Sequence, residues 1–302
     1  MNIFTAYKYG FVRAFKNLKW IKYMNLNKHC KGDWYELVCS SLTENGLKYN
    51  NYPLPGFPDD EIQIRTTGRA GAPTLCEAYL FYEDCINKFK ESSNFAKPER
   101  TLMDFGAGWG RILRFFIKEI PPQQLYGVEI NPELLEICRS TFEYSEFIKS
   151  DSFPPINIES ESFDFIVGYS VFSHLSEDAC LAWVEEFYRL LRPGGMLALT
   201  TRGRWFLDYC EDLKTTDGYR SALNKMFANF NDARDKYDRG EFVHSNADGV
   251  TGSGPLNSNF YGETFIPEAY AKKVYSKYFE VLPFEFTPGR TTHPIMFFRK
   301  VT

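Results

Sequence analysis

No apolar run in this 302-residue sequence approaches the ~18 residues that a membrane-crossing helix requires, and no signal-peptide-like apolar stretch opens it. Histidine is scarce, with four residues, and none stands at a zinc-like spacing from a cysteine. The seven cysteines (Cys30, Cys39, Cys76, Cys85, Cys138, Cys180, Cys210) contain no C-x-x-C pair. A metal centre is therefore not expected, and the odd, scattered thiols read as reduced cysteines of a cytoplasmic protein. Positive charge is not in excess either: the chain carries −4, which argues against a nucleic-acid-binding surface. Acidic residues are missing altogether from positions 1–31, which hold Lys8, Arg13, Lys16, Lys19, Lys22, Lys28 and Lys31; the remaining 28 Lys and Arg face 39 Asp and Glu, a balance of −11.

What is abundant is aromatic side chains, 17% of the chain with 28 Phe and 19 Tyr. A packed core absorbs most of these, and a flat or sugar-like substrate can use the rest. Phe4, Tyr7, Phe11, Phe15 and Leu18 recur at spacings of three and four, which puts them on one helical face with Lys and Arg around much of the remainder. Such a segment either packs on its own domain or lies on an anionic membrane surface. Gly10 within it, and Trp20 and Tyr23 off the stripe, favour packing.

Residues 50–60, NNYPLPGFPDD, read as a linker or irregular crossing. The piece IQIR reads as a short strand, followed by a glycine loop with Arg69 and a helix over 77–90. From residue 101 the pattern alternates. Strands are predicted at 101–104, 125–129, 147–149, 163–168 and 196–200, with helices at 110–120, 132–140 and 177–191 between them. Asn131 reads as an N-cap with Pro132 at the first helical position, and Pro193-Gly194-Gly195 as a breaker. Alternation of this kind means a doubly wound parallel sheet, with ligands beyond the carboxyl ends of its strands. Asp104, Glu129, Asp151 and the run from Tyr169 to His174 all fall at such ends. Residues 203–265 break the pattern and are partly helical at 222–230; a helix at 268–277 and strands at 279–286 and 295–301 follow.

The stretch TLMDFGAGWGRILR is a strand, a glycine turn and a helix start. Glycines there let backbone approach a ligand closely, and free N–H groups face it. The spacing is G-x-G-x-G, not the G-x-G-x-x-G of a dinucleotide site, and Asp104 precedes it. A carboxylate at that point opposes a pyrophosphate and suits an ammonium. Glu129, ending the next strand, can accept ribose hydroxyls. Asp151 can accept from an adenine amine.

In this order the runs MDFGAGWGRI, GVEINPELL, SDSFPPI, FDFIVGYSVFSHL and RLLRPGGMLALTT resemble the class I S-adenosylmethionine-dependent methyltransferases, over about residues 98–202. The resemblance implies a Rossmann-like, mostly parallel seven-stranded sheet and S-adenosylmethionine as cofactor. It places Asp104, Gly106, Ala107 and Gly108 at the methionine moiety, Glu129 at the ribose, and Ile130, Asp151, Ser152 and Phe153 at the adenine. Trp109 either walls the methionine or packs; Arg69 either reaches its carboxylate or is a solvated loop arginine. Tyr169 lines the methyl pocket. Domain bounds follow: a mostly helical N-terminal extension, 1–98; the cofactor-binding core, 99–202; an inserted substrate-side lid, 203–265; and a C-terminal helix with the last two strands, 266–302.

Methyl transfer to a hydroxyl needs alignment, dryness and a base. An imidazole changes protonation near neutrality as a type, and His174 stands at the right strand end. It is also a common family feature and so can be structural; His244 and His293 are the weaker alternatives. The run NFYGETFIPEAYAKKVYSKYFEVLPFE more loosely resembles methyltransferases found beside glycosyltransferases in bacterial polysaccharide clusters. The expected activity is O-methylation of a sugar hydroxyl or small hydroxylated metabolite. The alternatives are an N- or carboxyl-methyltransferase and an inactive cofactor-binding scaffold. The expected setting is cytoplasmic, with peripheral contact at the inner membrane face through residues 1–31.

Overall fold

The structure is a computed structural model that describes residues 26–214, 218–252 and 254–301. The aromatic stripe of residues 4–18 lies outside the described residues. The elements run α1 (Asp33–Ser40), β1 (Lys48–Tyr49), β2 (Tyr52–Pro53), α2 (Asp60–Thr67), α3 (Ala72–Phe89), β3 (Leu102–Phe105), α4 (Leu113–Phe116), β4 (Leu125–Glu129), α5 (Pro132–Thr141), β5 (Glu146–Lys149), β6 (Phe163–Gly168), α6 (Glu177–Leu190), β7 (Leu191–Thr200), α7 (Arg204–Asp212), α8 (Gly218–Lys225), α9 (Phe230–Asp238), β8 (Val243–Ser245), β9 (Glu263–Phe265), α10 (Glu268–Val274), β10 (Glu280–Val281) and β11 (Ile295–Arg299).

Seven strands form one sheet in the order β10-β11-β7-β6-β3-β4-β5. Those from β5 to β7 are parallel, and β11 lies antiparallel to both its neighbours. The chain winds outward from β3 to β5, then returns to β6 on the other side of β3. That reversal opens a crevice beyond the carboxyl ends of β3 and β6, where open α/β sheets bind ligands.

β3 and β6 are buried along their whole length, so both sheet faces are covered. Successive residues therefore serve opposite layers. Leu102, Phe165 and Ala198 pack with α3, whereas Met103, Ile166 and Leu197 pack with α6 and α10. The helix from the N-terminal extension is thus one layer of the core; Phe89 stacks on Phe165 with ring centroids 4.4 Å apart. Arg114 ties the same extension to the glycine turn. Its guanidinium is buried, donates to Pro55 O and Gly56 O at 3.1 Å, and lies 4.0 Å from the Phe57 ring centroid. The run NNYPLPGFPDD is accordingly a fixed crossing.

Cys30 and Cys76 form a disulfide that joins the segment before α1 to α3, correcting the expectation that the thiols are all reduced. The partners lie 46 residues apart, with no motif to mark them, and only the packing of this segment across α3 brings their Cα atoms to 5.5 Å. Chain-entropy reasoning gives a loop of this length a stabilisation of about 4 kcal/mol. Cys76→Ser is expected to lower the denaturant midpoint accordingly, and reductant to produce the same shift in the wild type and none in the variant.

Several boundaries differ from expectation for local reasons. IQIR is helical, inside α2: Asp60 and Glu61 fill its first turn and Gly68 ends it in the left-handed region. α4 is only four residues: Gly110 at φ 76° delays its start, and residues 117–120 close as a turn in which Glu119 N–H and Ile120 N–H both donate to Phe116 O. β7 runs back to Leu191 through a register shift against β6 that takes up Pro193-Gly194-Gly195, whose carbonyls accept from Asn94 and Ser92. β10 stops at Val281; the ladder resumes only as a bridge between Glu285 and Ile295, past Pro283, which has no N–H to give. Residues 222–230 straddle the end of α8 and the start of α9. The inserted region, α7 to β9, has its own small core of Trp205, Leu207, Leu223, Phe230 and Phe265, among others.

Candidate functional site

The turn after β3 is held by its neighbours on both sides. Gly106 and Ala107 both donate their N–H to Val128 O, at 2.8 and 3.0 Å. Gly108 N–H donates to Glu129 Oε2 at 2.8 Å, and Asn131 N–H to Oε1 at 2.8 Å. Glu129 is buried, and burial pushes its carboxyl up, opposed by these backbone N–H groups. It shapes the loop while keeping lone pairs for a further donor. Gly106, at φ 73°, lies under the loop after β6: a Cβ there would come within 2.4 Å of Val171 Cγ2. Gly108, at φ 57°, has open space where a Cβ would be.

Asp104 is 1% exposed, and neither carboxylate oxygen has a hydrogen-bond partner. Burial pushes its carboxyl up to about 7; Arg111 and, less strongly, the nearby Leu113 N–H, which falls short of a hydrogen bond, oppose that shift, and Glu129 adds to it. A buried carboxylate without a donor is costly unless a cation joins it. Loop ordering falls to Glu129, which holds the Gly108 and Asn131 N–H groups. Trp109 packs. Its indole is buried, donates to Thr66 Oγ1 at 3.1 Å and meets Phe57 edge-on. Arg69 is half-buried near Glu77, on whose carboxyl its charge acts. Ile130 is half-buried, Asp151 exposed, and Phe153 exposed with an edge contact to Phe260; Ser152 O accepts the Trp183 indole N–H at 3.0 Å.

On the β6 side, Ser170 has φ 60° and donates its N–H to Thr200 Oγ1 at 2.7 Å. The loop then passes Val171 and reaches His174. The returning insertion is laced to it: Gly262 N–H donates to His174 O and Thr264 N–H to Ser173 O, both at 2.8 Å. The His174 ring stacks on Tyr261 with centroids 4.9 Å apart. Its Nδ1 lies 2.8 Å from Gly262 O and 3.2 Å from Glu263 Oε1. A carbonyl oxygen only accepts, so Nδ1 carries the proton and, in the neutral ring, Nε2 carries the lone pair. Among the described residues nothing hydrogen-bonds Nε2.

Behind His174 runs a largely buried polar chain with one consistent donor sense, its Glu263 and His293 buried and its Arg202, Thr292 and Glu77 half-buried. Arg202 Nε donates to Glu263 Oε2 at 2.9 Å, and Arg202 Nη1 to His293 Nε2 at 2.7 Å. His293 Nδ1 then donates to Thr292 Oγ1 at 2.8 Å, and Thr292 Oγ1 to Glu77 Oε1 at 2.7 Å. Arg111 Nη1 closes the chain on Glu77 Oε2 at 3.0 Å. Tyr219 OH also donates to Glu263. Burial opposes the charge of Glu263, but Arg202 and then His174 outweigh it and hold the carboxyl at about 2. Burial, then Arg202, push His293 down to about 3, so it is a neutral link and no base at ordinary pH. Tyr169 joins this chain through Thr292, at 3.0 Å. His244 bonds Thr264 Oγ1 at 2.7 Å.

The fold thus gathers Asp104, Glu129, the glycine turn and His174 at one sheet edge. Glu263, Arg202, Glu77 and Thr292 were not singled out from sequence. Glu263 had one signal, a lone acid inside the apolar run FYGETFI; the others had none, because their partners, the adjacent Thr292–His293 pair aside, lie 34 to 215 positions away. Metal-ligating groups of three or more side chains are absent among the described residues. Nor is any described helix long and apolar enough to cross a membrane.

Residues 102–195 match the family model described as a methyltransferase domain. The O-methyltransferase 3 of Dictyostelium discoideum is 22% identical over 39% of this chain and 29% of that protein. The malonyl-[acyl-carrier protein] O-methyltransferase of Halalkalibacterium halodurans is 27% identical over 39% of this chain and 45% of its own length. The matches therefore span less than half of these curated relatives. Among solved structures, a SAM dependent methyltransferase from Aquifex aeolicus overlays 81% of this chain and 100% of its own at 16% identity, with a TM-score of 0.47. Residues 102–195 thus match a methyltransferase domain, and the seven-stranded, mostly parallel sheet that they help build is the fold expected of it.

Proposed function

We propose that the protein is an S-adenosylmethionine-dependent O-methyltransferase acting on a hydroxyl of a sugar or a small hydroxylated metabolite. One observation carries the O-specific part: His174 is fixed by a carbonyl and a carboxylate in the tautomer that leaves Nε2 free to accept a proton. Nitrogen or carboxylate acceptors have less need of such a base. When bound, the cofactor supplies a methyl group activated on a sulfonium. Asp104, the buried carboxylate without a partner, fits its ammonium. Glu129 accepts from the ribose hydroxyls, and Ile130, Asp151, Ser152 and Phe153 border the adenine. His174 Nε2 takes the acceptor proton, and Glu263 steadies the imidazolium that results. Aromatic Tyr261, stacked on His174, and Tyr219, bonded to Glu263, suit the apolar face of a sugar ring.

The test is transfer of a labelled methyl group to nucleotide sugars, lipid-linked glycans and small hydroxylated or amine acceptors. Ether formation is the expected product, and methylation of amines or carboxylates alone would overturn the reading. The proposal includes a cytoplasmic site of action with peripheral contact at the inner membrane face through residues 1–31; its support is the basic charge of that segment, since the Cys30–Cys76 disulfide takes the thiols away as an argument for the cytoplasm. Removing residues 1–25, which leaves Leu26 and the Cys30–Cys76 disulfide in place, should abolish flotation with anionic vesicles; equal flotation of both forms excludes the contact.

The glycine turn gives a pair of contrasting expectations. Gly108→Ala places a methyl in open space at a left-handed residue, so it costs about 1–2 kcal/mol of stability. It intrudes where the ligand approaches, so S-adenosylhomocysteine affinity should fall more steeply than stability. Gly106→Ala meets Val171 Cγ2 at 2.4 Å and should lose more stability than Gly108→Ala. Thermal midpoints and calorimetric affinities of the two variants check the order.

A further inference from the structure

Two carboxylates stand near one guanidinium beside the glycine turn. Arg111 acts electrostatically on both Asp104 and Glu77. Its hydrogen bonds are not shared between them. Nη1 donates to Glu77 Oε2 at 3.0 Å and to Thr74 O at 3.1 Å, both on α3, and the guanidinium lies 5.1 Å from the Tyr169 ring centroid. Asp104 receives no hydrogen bond at either oxygen. Glu77 is fixed for its task from the far side by Thr292 Oγ1 at 2.7 Å, with His293 and Arg69 adding positive charge or polarity around it.

The division has a consequence for ligand choice. A buried guanidinium seeks a carboxylate partner, and an arginine paired with Asp104 would leave an incoming ammonium no free acceptor. We infer that Glu77 is a specificity-determining residue: by drawing Arg111 onto α3 it keeps Asp104 unpaired for the ammonium of the cofactor's methionine moiety. The inference rests on the reading of S-adenosylmethionine as the ligand of this turn. It assigns to the N-terminal extension, outside the region 102–195 that matches the methyltransferase domain, a part in cofactor discrimination.

Calorimetry with two probes isolates the ammonium. Decarboxylated S-adenosylhomocysteine keeps it; 5′-methylthioadenosine shares the adenosine and thioether but lacks it. The wild type should prefer the first. In Glu77→Gln, Arg111 turns to Asp104, and that preference should fall roughly tenfold or more, the worth of a hydrogen bond to a charged group. Affinity for 5′-methylthioadenosine should stay within about twofold. Glu77→Asp retains the charge and should retain the preference. An unchanged preference in folded Glu77→Gln, or an equal loss for both probes, overturns the inference and leaves the cofactor reading standing. Failure of the wild type to bind S-adenosylhomocysteine overturns both. If Glu77→Gln does not fold, Arg111→Gln decides. With the competitor gone the preference should persist at the pH where that variant shows it best, and its loss would make Arg111 a ligand contact and overturn the inference.

Discussion

Asp104→Asn is expected to make the ligand-free protein more stable and its cofactor binding much weaker. The two effects have one cause. Asp104 is buried with no hydrogen-bond partner, and its carboxyl titrates at about 7 in the fold against an ordinary 3.8. An acid whose folded value is raised contributes destabilisation that is absent below its unfolded value, grows as pH rises from there, and levels off above the folded value. At pH 8 the cost is on the order of 2–4 kcal/mol, and the neutral amide removes most of it. The same charge is what an ammonium would pair with, so its loss should weaken S-adenosylhomocysteine by roughly tenfold to a hundredfold. In the wild type, affinity should be flat above pH 7 and fall by up to about tenfold per pH unit below it, because the carboxyl must then give up a proton to bind. Affinity for 5′-methylthioadenosine, which brings no ammonium, should not follow that curve. Denaturation midpoints of the two proteins at pH 8, with calorimetry from pH 5.5 to 8.5, check both signs. A less stable Asp104→Asn, or a pH-independent affinity, would show that Asp104 has a partner other than the cofactor.

The elements that carry Asp104 and its neighbours were legible because their signals are local. β4 and β6 fall where their apolar runs predicted them, residue for residue, and Asn131 caps α5 by accepting from Glu133 N–H. Where the sequence misled, a tertiary or conformational term decided. Alternating apolar and polar residues in IQIR imitated a strand, yet the acids before them and Gly68 after them make a helix. A left-handed Gly110 delayed the start of α4, and a turn over residues 117–120 ended it early. The disulfide was illegible for a different reason, since a separation of 46 positions gives no spacing to read. The same holds for the polar chain behind His174. Glu77 comes from α3, Thr292 and His293 from the loop before β11, Arg202 from the residues after β7, and Glu263 from the insertion's return. Only the closing of the sheet, with β11 between β7 and β10, brings them to one line. A scan for acids near the glycine turn finds Asp104 and Glu129; it cannot find partners that topology supplies.

That line of partners sets the expectation for His174. Replacing it with alanine should lower kcat by roughly a hundredfold to ten-thousandfold, the usual worth of a positioned base, with cofactor affinity within about twofold of wild type. Added imidazole should restore part of the activity, because the cavity left beside Tyr261 matches a five-membered ring. Glu263→Gln separates orientation from proton transfer. The Gly262 carbonyl still holds Nδ1–H, so the tautomer survives and the loss in kcat should be smaller, about tenfold. The fold, however, should suffer more from this change than from His174→Ala. Arg202, mostly shielded from solvent, would be left with its Nε facing a neutral amide, and an uncompensated charge of this kind costs up to about 3–5 kcal/mol. The two variants thus divide the site by function. One should inactivate a stable protein, and the other should destabilise a protein that still turns over. Single-turnover rates with imidazole titration, set beside denaturation midpoints, distinguish them. Full turnover in His174→Ala would give the histidine to the scaffold and leave deprotonation of the acceptor to a group outside this line.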